Sequence, residues 1–347
     1  MNKFLDAQSQ IFPWQLHPLQ LYGLAQEYGI NSADLLAALG LEDSQLENLA
    51  LNLSWQQYRS MVQLVENKGP SNWGFKLGQR LNVPSNGLLS LAVMNSESWR
   101  QAIGLLTDFK ILVTSLFYLK PRETEKYLVI ELHPEFTRDP LTQAFFETFF
   151  AIIYQLLLSV SNFQEAFINN TEQLCMGFQG EPPLYEQEMR AFFNNNILFN
   201  QGHNQIRINK CLADRKLTSG NPLSAHSIVA ILSAQLALLP ANKGFLHVVH
   251  ELFEQGNYNQ EKCAKKLNIS VATLKRKLKT ACTTFNYELA NFRQVEACHL
   301  LNFEIHNIDL IADKLGFQDI GSFRRFFKKQ MGVTPSEFRS MHLDGEE

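Results

Sequence analysis

The chain has 347 residues, of which 45% are hydrophobic and 19% charged. This composition excludes an intrinsically disordered protein and predicts two or three domains with a large apolar core. The net charge of −3 conceals an asymmetry, because residues 242–342 carry 15 Lys+Arg against 10 Asp+Glu, whereas residues 1–241 carry 16 against 21. A basic carboxy-terminal block on an acidic body is typical of a protein that binds a polyanion through one of its domains.

The five cysteines are scattered and form no C-x-x-C pair, which predicts reduced thiols in a cytoplasmic protein. The first residues lack the apolar run of a signal peptide. The longest apolar stretch, Ala144 to Val160, contains Glu147 and Gln155 and is short for a membrane span. We therefore expect it to be a buried core helix or a dimer helix.

In chain order, residues 1–215 mix helical and strand patterns, which predicts an α+β domain of helices and a small antiparallel sheet. Residues 13–65 are typical of several helices, with Gly40 as a helix C-cap. Ser54 and Gln57 stand at the spacing of a capping box.

The next segments are less uniform. Residues 82–86 contain Pro84 and predict a loop, residues 87–96 are ambiguous between a strand and a buried helix, and residues 98–112 favour a helix. Alternation then predicts strands at 113–120 and 127–134 around a polar turn with Pro121 at its edge, and further strands near 171–178 and 204–209 that flank a short helix at 183–193.

Residues 216–241 are predicted to be a linker that continues as an apolar helix ending at Pro240. An Ala-, Leu- and Ile-rich helix between two domains suits a dimerisation or signalling element. Packing of the helix against its own domain is the alternative, and the sequence does not choose between them.

From residue 242 the pattern is helical throughout, and one motif occurs twice. The first copy runs from Cys263 to Lys279 and the second from Ile311 to Lys328. Each predicts a short helix with a small residue, a tight turn and a second helix with a basic outer face, which is the layout of a DNA-binding helix-turn-helix. The corresponding residues are Ala264 and Ala312, Leu267 and Leu315, Leu274 and Phe323, Arg276 and Arg325, and Leu278 and Phe327.

The turns and caps of this segment support the same interpretation. Asn268 and Gly316 occupy the turns, where a left-handed backbone is tolerated by Asn or Gly. Ser270 is a natural N-cap for the first recognition helix, and Thr334 with Glu337 predicts a final helix start. Residues 262–279 contain seven basic residues and no acidic one, which favours DNA contact over a merely solvated face.

The segment from Gly316 to Arg339, GFQDIGSFRRFFKKQMGVTPSEFR, resembles the signature of the AraC/XylS family of bacterial transcription regulators. The resemblance extends from about Phe245 to Arg339. Residues 1–215 are similar, more loosely, to the arabinose-binding-like effector domain of ornithine-utilisation-type members. The segments concerned are Leu53–Tyr58, Trp73–Gly78 and Gly87–Ser96.

The resemblance implies an all-α DNA-binding domain at 242–342, whose two recognition helices enter adjacent major grooves. An acidic tail at 343–347 follows this domain. Family base-contact positions fall on Ala272, Lys275 and Arg276, and on Ile320, Gly321 and Arg325. Because Ile320 and Gly321 offer no polar side chain, the second motif is expected to read sequence weakly. With the neighbouring polar and basic positions, the candidate DNA-binding residues are Ala272, Thr273, Lys275, Arg276, Lys279, Ile320, Gly321, Ser322, Arg324, Arg325 and Lys328.

The resemblance also implies partners: promoter or operator DNA, a small-molecule effector, RNA polymerase and a second copy of the chain, in a nucleoid-associated cytoplasmic protein. One departure is Cys282, where relatives usually carry Gly after the first recognition helix. A left-handed Cys would cost about 1 kcal/mol, unless the turn differs.

The Phe-rich amino-terminal domain is interpreted as the effector sensor, because small-molecule sites are mostly apolar with a few polar anchors. An ordinary aromatic core is the alternative for each residue. An apolar effector such as a fatty acid and an amino-acid-like effector both remain open, as does activation or repression. The candidate lining residues are Phe117, Tyr118, Tyr127, Phe146, Phe150 and Tyr154, with Phe145 and Phe149 beside them.

No catalytic site, metal site or cofactor is predicted, because the chain contains no P-loop, G-x-G-x-x-G, G-x-S-x-G or H-E-x-x-H motif. His247 and His250 lie three apart, but packing or surface roles are expected for them. A nonspecific architectural DNA binder is the first alternative. A DNA-repair methyl acceptor is the second, and it would need a cysteine-ligated zinc cluster and a P-C-H-like reactive cysteine that the sequence lacks.

Overall fold

A computed structural model of the chain describes residues 4–81, 87–113, 115–160, 170–217, 220–239, 241–303 and 307–343. The predicted loop at 82–86 and residues 344–347 of the predicted acidic tail lie outside the described residues. The chain divides into two units, residues 1–245 and residues 246–347.

The first unit begins with helices whose ends are set by their caps. Asn31 caps α2 through its side chain, and Gly40 ends that helix with a φ of 65°. Ser54 and Gln57 form the predicted capping box at the start of α3. A short antiparallel pair, β1 and β2, was not predicted because two-residue strands carry no alternation. The bounds are β1 Phe12–Pro13, α1 His17–Glu27, α2 Ser32–Leu39, β2 Asn52–Leu53 and α3 Trp55–Lys68.

Four further helices follow in this unit, and the ambiguous segment at 87–96 is helical from Gly87 to Met94. The apolar stretch predicted as a core helix forms α7, which crosses α4 at two glycines. A Cβ on Gly74 would lie 2.4 Å from the Ala144 carbonyl oxygen, and a Cβ on Gly78 would lie 2.7 Å from that of Thr148. The bounds are α4 Trp73–Arg80, α5 Gly87–Met94, α6 Trp99–Phe109 and α7 Gln143–Val160.

Helix α7 owes its place in the core to both its apolar and its polar residues. By length and composition alone the segment Pro140–Ser159 could cross a membrane, but 61% of its most apolar window is buried inside the protein. Its polar residues have partners in the same unit: the Gln155 amide donates to the Gly78 carbonyl oxygen at 2.8 Å, and Tyr185 Oη donates to the Glu147 carboxylate at 2.8 Å. The segment therefore has the character of a core helix.

The sheet of the first unit has five strands in the order β3-β4-β7-β5-β6. Its pairs are antiparallel except that β5 and β6 are parallel, so the expectation of an antiparallel sheet is wrong at this edge. Strand β3 continues through Pro121, which a strand at the sheet edge tolerates. The bounds are β3 Phe117–Glu123, β4 Tyr127–Pro134, β5 Leu174–Gly177, α8 Glu186–Phe192, β6 Ile197–Leu198, β7 Gln205–Asn209 and α9 Lys210–Ala213.

The apolar helix of the predicted linker is α10, Pro222–Ala237, and it packs against α5 and α6 of the first unit. Ala225 and Leu232 are buried in that contact. Leu223, Ile231 and Leu238 are exposed on the helix or at its end. The structure thus shows packing on the first unit and leaves an apolar face on the same helix.

The second unit is entirely helical within its described residues. Ser270 caps α13 through its side chain, as predicted, and Asn259 caps α12 in the same way. Helices α12–α13 form the first helix-turn-helix motif, helices α15–α16 form the second, and α14 joins them. The bounds are α11 Phe245–Glu254, α12 Gln260–Lys266, α13 Val271–Thr280, α14 Phe285–Phe303, α15 Ile308–Lys314, α16 Ile320–Met331 and α17 Pro335–Leu343.

A buried polar contact fixes the joining helix to the first motif. The Glu288 carboxylate of α14 lies 2.6 Å from His250 Nε2 of α11, and it accepts a hydrogen bond from Thr283 Oγ1 at 2.5 Å. All three residues are buried. Because an unpaired buried carboxylate is costly, this triad specifies how α11, α14 and the turn before α14 meet.

Candidate DNA interface and effector cavities

The repeated residues of the two motifs hold the recognition helices α13 and α16 in place. Asn268 and Gly316 adopt left-handed backbone angles, with φ of 54° and 69°. In each motif the small residue of the first helix is buried, and so is the inner face of the recognition helix. These buried residues are Ala264, Leu274, Leu278, Ala312, Phe323 and Phe327. The predicted helix-turn-helix geometry is therefore present twice.

The outer face of α13 is basic and open. Ala272, Lys275, Arg276 and Lys279 are exposed, opposite the buried leucines. Thr273 is half-buried, and its backbone N–H donates to the Ser270 hydroxyl at 3.0 Å. This face therefore presents one guanidinium, two ammonium groups and a small apolar residue to whatever approaches the helix.

The outer face of α16 differs at its amino-terminal end. Ile320, Gly321 and Ser322 are half-buried, and Arg324, Arg325 and Lys328 are exposed. The basic side chains of this helix thus begin one turn after its start, as they do on α13, and Arg325 is the basic residue among the family base-contact positions of α16.

Asp319 caps α16 and engages two of the candidate residues. It accepts hydrogen bonds from the Ser322 N–H at 2.8 Å and the Ser322 hydroxyl at 2.7 Å, and Arg325 Nη2 donates to the Ser322 hydroxyl at 3.3 Å. The Ser322 hydrogen bonds, aided by the charge of Arg325, hold the Asp319 pKa below its ordinary value. The tip of α16 therefore carries a negative charge and a pre-formed polar network.

The turn after α13 contains the departure expected from the sequence. Cys282 has a φ of 58°, so a cysteine occupies the left-handed conformation that glycine adopts without strain. The Cys282 N–H donates to the Lys279 carbonyl and the Thr283 N–H donates to the Leu278 carbonyl, at 3.0 and 2.9 Å. The turn keeps its hydrogen bonds and bears the conformational cost.

Comparison with known proteins agrees with both units. Residues 29–217 match the arabinose-binding domain of AraC transcription regulators, amino-terminal part, and residues 263–341 match a helix-turn-helix domain family. The chain belongs to the AraC family of transcription regulators. Within this AraC-family chain the first unit is the ligand-binding domain type and the second is the DNA-binding type.

Some relatives are similar over most of their length, and others are similar over a shorter segment. The ornithine utilization regulator of Pseudomonas aeruginosa is 24% identical over 323 residues, which cover 92% of this chain and 94% of the relative. The regulator VqsM of the same organism is 23% identical, with 77% and 83% covered. The activator AggR of Escherichia coli is 33% identical over 75 residues, 22% of this chain and 28% of its own.

Among solved structures, the transcriptional regulator CdpR from Pseudomonas aeruginosa aligns with a TM-score of 0.44 and 14% identity. The alignment covers 93% of this chain and 98% of that one.

The structure does not gather the six predicted effector residues of this AraC-family chain around one cavity. Phe117 and Phe150 lie in the core, and Phe146 packs on Phe117 with ring centroids 5.3 Å apart. Tyr154 is also in the core, where its Oη accepts a hydrogen bond from Asn194. These rings pack on one another, which is the aromatic-core alternative.

Tyr118 and Tyr127 lie on the other face of the sheet, because successive strand residues point to opposite sides. Tyr118 stacks on His133 at 5.1 Å, and Tyr127 lies under the Arg207 guanidinium at 4.9 Å. Aromatic character alone does not indicate which face of a strand a residue occupies. The predicted set therefore combined residues from two faces of one sheet.

Two small cavities adjoin helices α6 and α7, and the first of them also borders the sheet. One has a volume of about 20 Å³ and the other about 30 Å³, enough for a water or two each. They adjoin, since Leu106, Phe149, Ile153 and Leu156 line both. The first is otherwise lined by Val93, Trp99, Ile103, Leu119, Ile130, Leu157, Ile206 and Ile208.

The second cavity differs because polar groups reach its wall. His17, Ser90 and Lys110 line it beside apolar residues. Burial lowers the pKa of Lys110 to about 8, and its Nζ lies 3.7 Å from a Glu135 carboxylate oxygen. Of the aromatic residues named from the sequence, Phe149 contributes to both walls. The aliphatic lining residues were not found, because Leu and Ile in a core segment carry no signal that separates a cavity wall from ordinary packing.

Proposed function

We propose that this AraC-family regulator recognises a specific DNA sequence through α13, while α16 mainly holds the DNA backbone. The observation that carries the proposal is the contrast between the two outer faces. On α13 the positions for base contact hold Lys275 and Arg276, both exposed. An arginine can donate to both acceptors of a guanine edge, so this face has the chemistry for base recognition.

The outer face of α16 supports a different role, because Arg325, the equivalent of Arg276, donates a hydrogen bond to the Ser322 hydroxyl at 3.3 Å. Ile320 and Gly321 offer van der Waals and backbone contacts only, and the Asp319 carboxylate stands at the tip. The exposed Arg324 and Lys328 lie farther along the helix. Cations set behind the tip suit phosphate contacts, which position a protein on DNA without specifying sequence.

We also propose that an effector with an apolar body occupies the two adjoining cavities of the first unit. Their lining is apolar except for His17, Ser90 and Lys110, so one polar or anionic end would face Lys110. A fatty acid has this composition, whereas an amino-acid-like effector needs more charged partners than these walls provide. Because the cavities are small, entry of the ligand requires rotation of the four side chains that separate them.

A contact network from the cavity supports coupling between effector and DNA binding. Lys110 lies 3.7 Å from Glu135, and the other Glu135 oxygen accepts a hydrogen bond from the Gly244 N–H at 2.6 Å. Gly244 directly precedes α11. An anionic ligand that attracts Lys110 would weaken the Lys110–Glu135 interaction and so act on the segment that leads into the second unit.

Dimerisation and contact with RNA polymerase are further parts of the proposal, as is residence in the cytoplasm at the nucleoid. The exposed apolar residues of α10, Leu223 and Ile231, support a second copy of the chain as the occupant of that helix face.

The experiment is selection of double-stranded DNA from a randomised library with the full-length protein. The proposal predicts enrichment of one sequence motif, and equal binding of all sequences would support the architectural DNA binder instead. Native mass spectrometry of the same preparation tests the effector: retention of a small apolar acid is expected, and its loss from a Lys110→Met variant would place the acid at the second cavity.

A further inference from the structure

Tyr258 and Arg293 connect the two helix-turn-helix motifs through the turn of the second one. Tyr258 precedes Asn259, the cap of α12, and Arg293 lies in the middle of α14. Both contact residues 314–317, the end of α15 and the turn toward α16. We call Tyr258, Arg293 and residues 314–317 the intermotif joint.

The joint is built from side-chain donors on backbone carbonyl groups. Arg293 Nε donates to the Leu315 carbonyl and Arg293 Nη2 to the Gly316 carbonyl, both at 2.9 Å. Tyr258 Oη donates to the Lys314 carbonyl at 2.8 Å. The last carbonyls of a helix lack intrahelical partners and carry partial negative charge, so three donors including a cation bind this end of α15 well.

The Arg293 guanidinium also lies between two aromatic rings. It is 5.1 Å from the centroid of Tyr258 and 4.4 Å from that of Phe317. Burial lowers the pKa of Arg293, and the contact with Tyr258 opposes that effect. Each cation–π contact is worth on the order of 0.5–2 kcal/mol. The guanidinium therefore holds the two rings in place in addition to binding the two carbonyl groups.

Gly316 shows that the joint requires a close approach. A Cβ at this position would lie 2.2 Å from a ring carbon of Tyr258. The first motif uses Asn268 at the equivalent turn position. The second motif therefore requires glycine for a reason beyond its positive φ, namely the tyrosine ring that packs against it.

The contacts continue to the second recognition helix. The Phe317 ring lies 5.4 Å from that of Phe323 and 5.2 Å from that of Phe326, both in α16. Tyr258 is continuous with the start of α12 in the first motif. The joint thus links the entry of one motif to the DNA-facing helix of the other.

We infer that Tyr258 and Arg293 are positioning residues that fix the separation and relative orientation of α13 and α16. The protein then selects DNA by the distance between two half-sites as well as by their sequence. The inference rests on the proposed function, because both recognition helices must contact DNA. It requires in addition that the van der Waals contacts of α16 favour some sequences at its own half-site. Each inserted base pair moves one half-site by about 3.4 Å and rotates it by roughly 34–36°, which a rigid pair of helices cannot follow.

The test uses the full-length protein and the sequence that it enriches from a randomised library. One, two or three base pairs are then inserted between the two half-sites, and the dissociation constant of each DNA is measured. The wild type is expected to lose at least about tenfold in affinity on the first insertion. Arg293→Gln is expected to bind the unmodified site several-fold more weakly and to lose less than about threefold on insertion.

Two further variants separate positioning from folding. Tyr258→Phe removes one hydroxyl and keeps the ring, so it should fold and show a smaller spacing dependence than the wild type. Tyr287→Phe removes the hydroxyl of an exposed tyrosine on the same helix α14 and should keep the wild-type spacing profile. If Arg293→Gln does not fold, Tyr258→Phe decides the question.

The outcomes are distinct. If the Arg293→Gln and Tyr258→Phe proteins fold and lose as much affinity on insertion as the wild type, the inference is overturned. The proposed function is not affected by that result. Folded variants that lose all DNA binding also overturn it, because they would identify contact residues. A wild type that enriches a single half-site overturns this inference and leaves the proposed function standing, whereas a wild type that enriches no motif overturns both.

Discussion

Several turns in the second unit place a residue in the left-handed region, and at Asn268, Cys282 and Gly316 the residue type sets the cost. Gly316 pays little strain and admits the Tyr258 ring, and Asn268 is among the few side chains that tolerate the conformation. Cys282 has neither advantage. Its backbone strain lies at the end of the helix that we propose to contact bases.

We predict that Cys282→Gly raises the free energy of unfolding by up to about 1 kcal/mol, because glycine adopts the positive φ without a Cβ penalty. Cys282→Ala is the matched control: it removes the thiol and keeps the strained backbone, so it should leave stability nearly unchanged. Urea denaturation of the three proteins measures the difference. Equal stabilisation by alanine would show that the thiol, and not the backbone, carries the cost.

Lys279 lies on the last turn of α13, beyond the base-contact positions, and is exposed. We predict that Lys279→Ala weakens binding to all DNA by a similar factor, because lysine neutralises phosphate without reading bases. The slope of log K against log salt should become shallower by about 0.9 for the lost phosphate contact. Binding isotherms on selected and scrambled DNA at several salt concentrations test this, and a loss confined to selected DNA would contradict it.

The exposure of the basic candidate residues, such as Lys275 and Arg324, follows from the helical period. Their contact with DNA stays a prediction. Tyr258 and Arg293 were not singled out. Their partners, Lys314 and Leu315, lie far along the chain at the end of α15, and no local sequence pattern indicates such a contact.

At the scale of elements, prediction succeeded where a helix carries its own end signals. The box of Ser54 with Gln57 and the cap at Ser270 were read from short-range chemistry and are present. Segment 87–96 could not be assigned because a short apolar run has no diagnostic period, and burial on several sides made it a helix. Strand β6 escaped notice because two residues depend wholly on their neighbour β5.

Helix α7 illustrates how one polar residue reports on its surroundings. Burial raises the pKa of Glu147 to about 7, although its hydrogen bond with Tyr185 opposes the shift. A carboxyl whose pKa is raised in the folded state contributes stability below its unfolded pKa near 4.5. That contribution is lost as pH rises through about 7.

We therefore predict that the wild type loses stability relative to Glu147→Gln between pH 4.5 and pH 8, by about 2–3 kcal/mol. Glutamine keeps an acceptor for Tyr185 and does not titrate. Denaturant midpoints of both proteins across this range give the difference, with Glu125→Gln, an exposed carboxyl between β3 and β4, as the control. A difference independent of pH would mean that Glu147 does not titrate in this range.

At the scale of the whole molecule, most of the basic block identified from charge counting lies in the second unit, and the helix-turn-helix family match covers residues 263–341 of it. The two cavities proposed for the effector show the reverse case. Their walls come from helices and strands distant in sequence, so only the folded chain brings Trp99, Ile153 and Ile206 together.

The two motifs are proposed to differ in role, with α13 reading the sequence and α16 holding the backbone. Because the motif is repeated, the chain itself supplies matched variants. Arg276 and Arg325 occupy equivalent positions, and each is exposed. Arg276 faces outward without a side-chain partner among the described hydrogen bonds and ion pairs, whereas Arg325 is tied to Ser322 at the tip of α16.

The most direct measurement is the ratio of dissociation constants for selected and scrambled DNA in Arg276→Ala and Arg325→Ala proteins. A base contact is worth about 1–3 kcal/mol, so Arg276→Ala should reduce this ratio roughly tenfold to a hundredfold. Arg325→Ala should weaken both DNAs alike and leave the ratio near that of the wild type. A ratio that collapses in Arg325→Ala and survives in Arg276→Ala would contradict the assignment of α13 as the helix that reads the sequence.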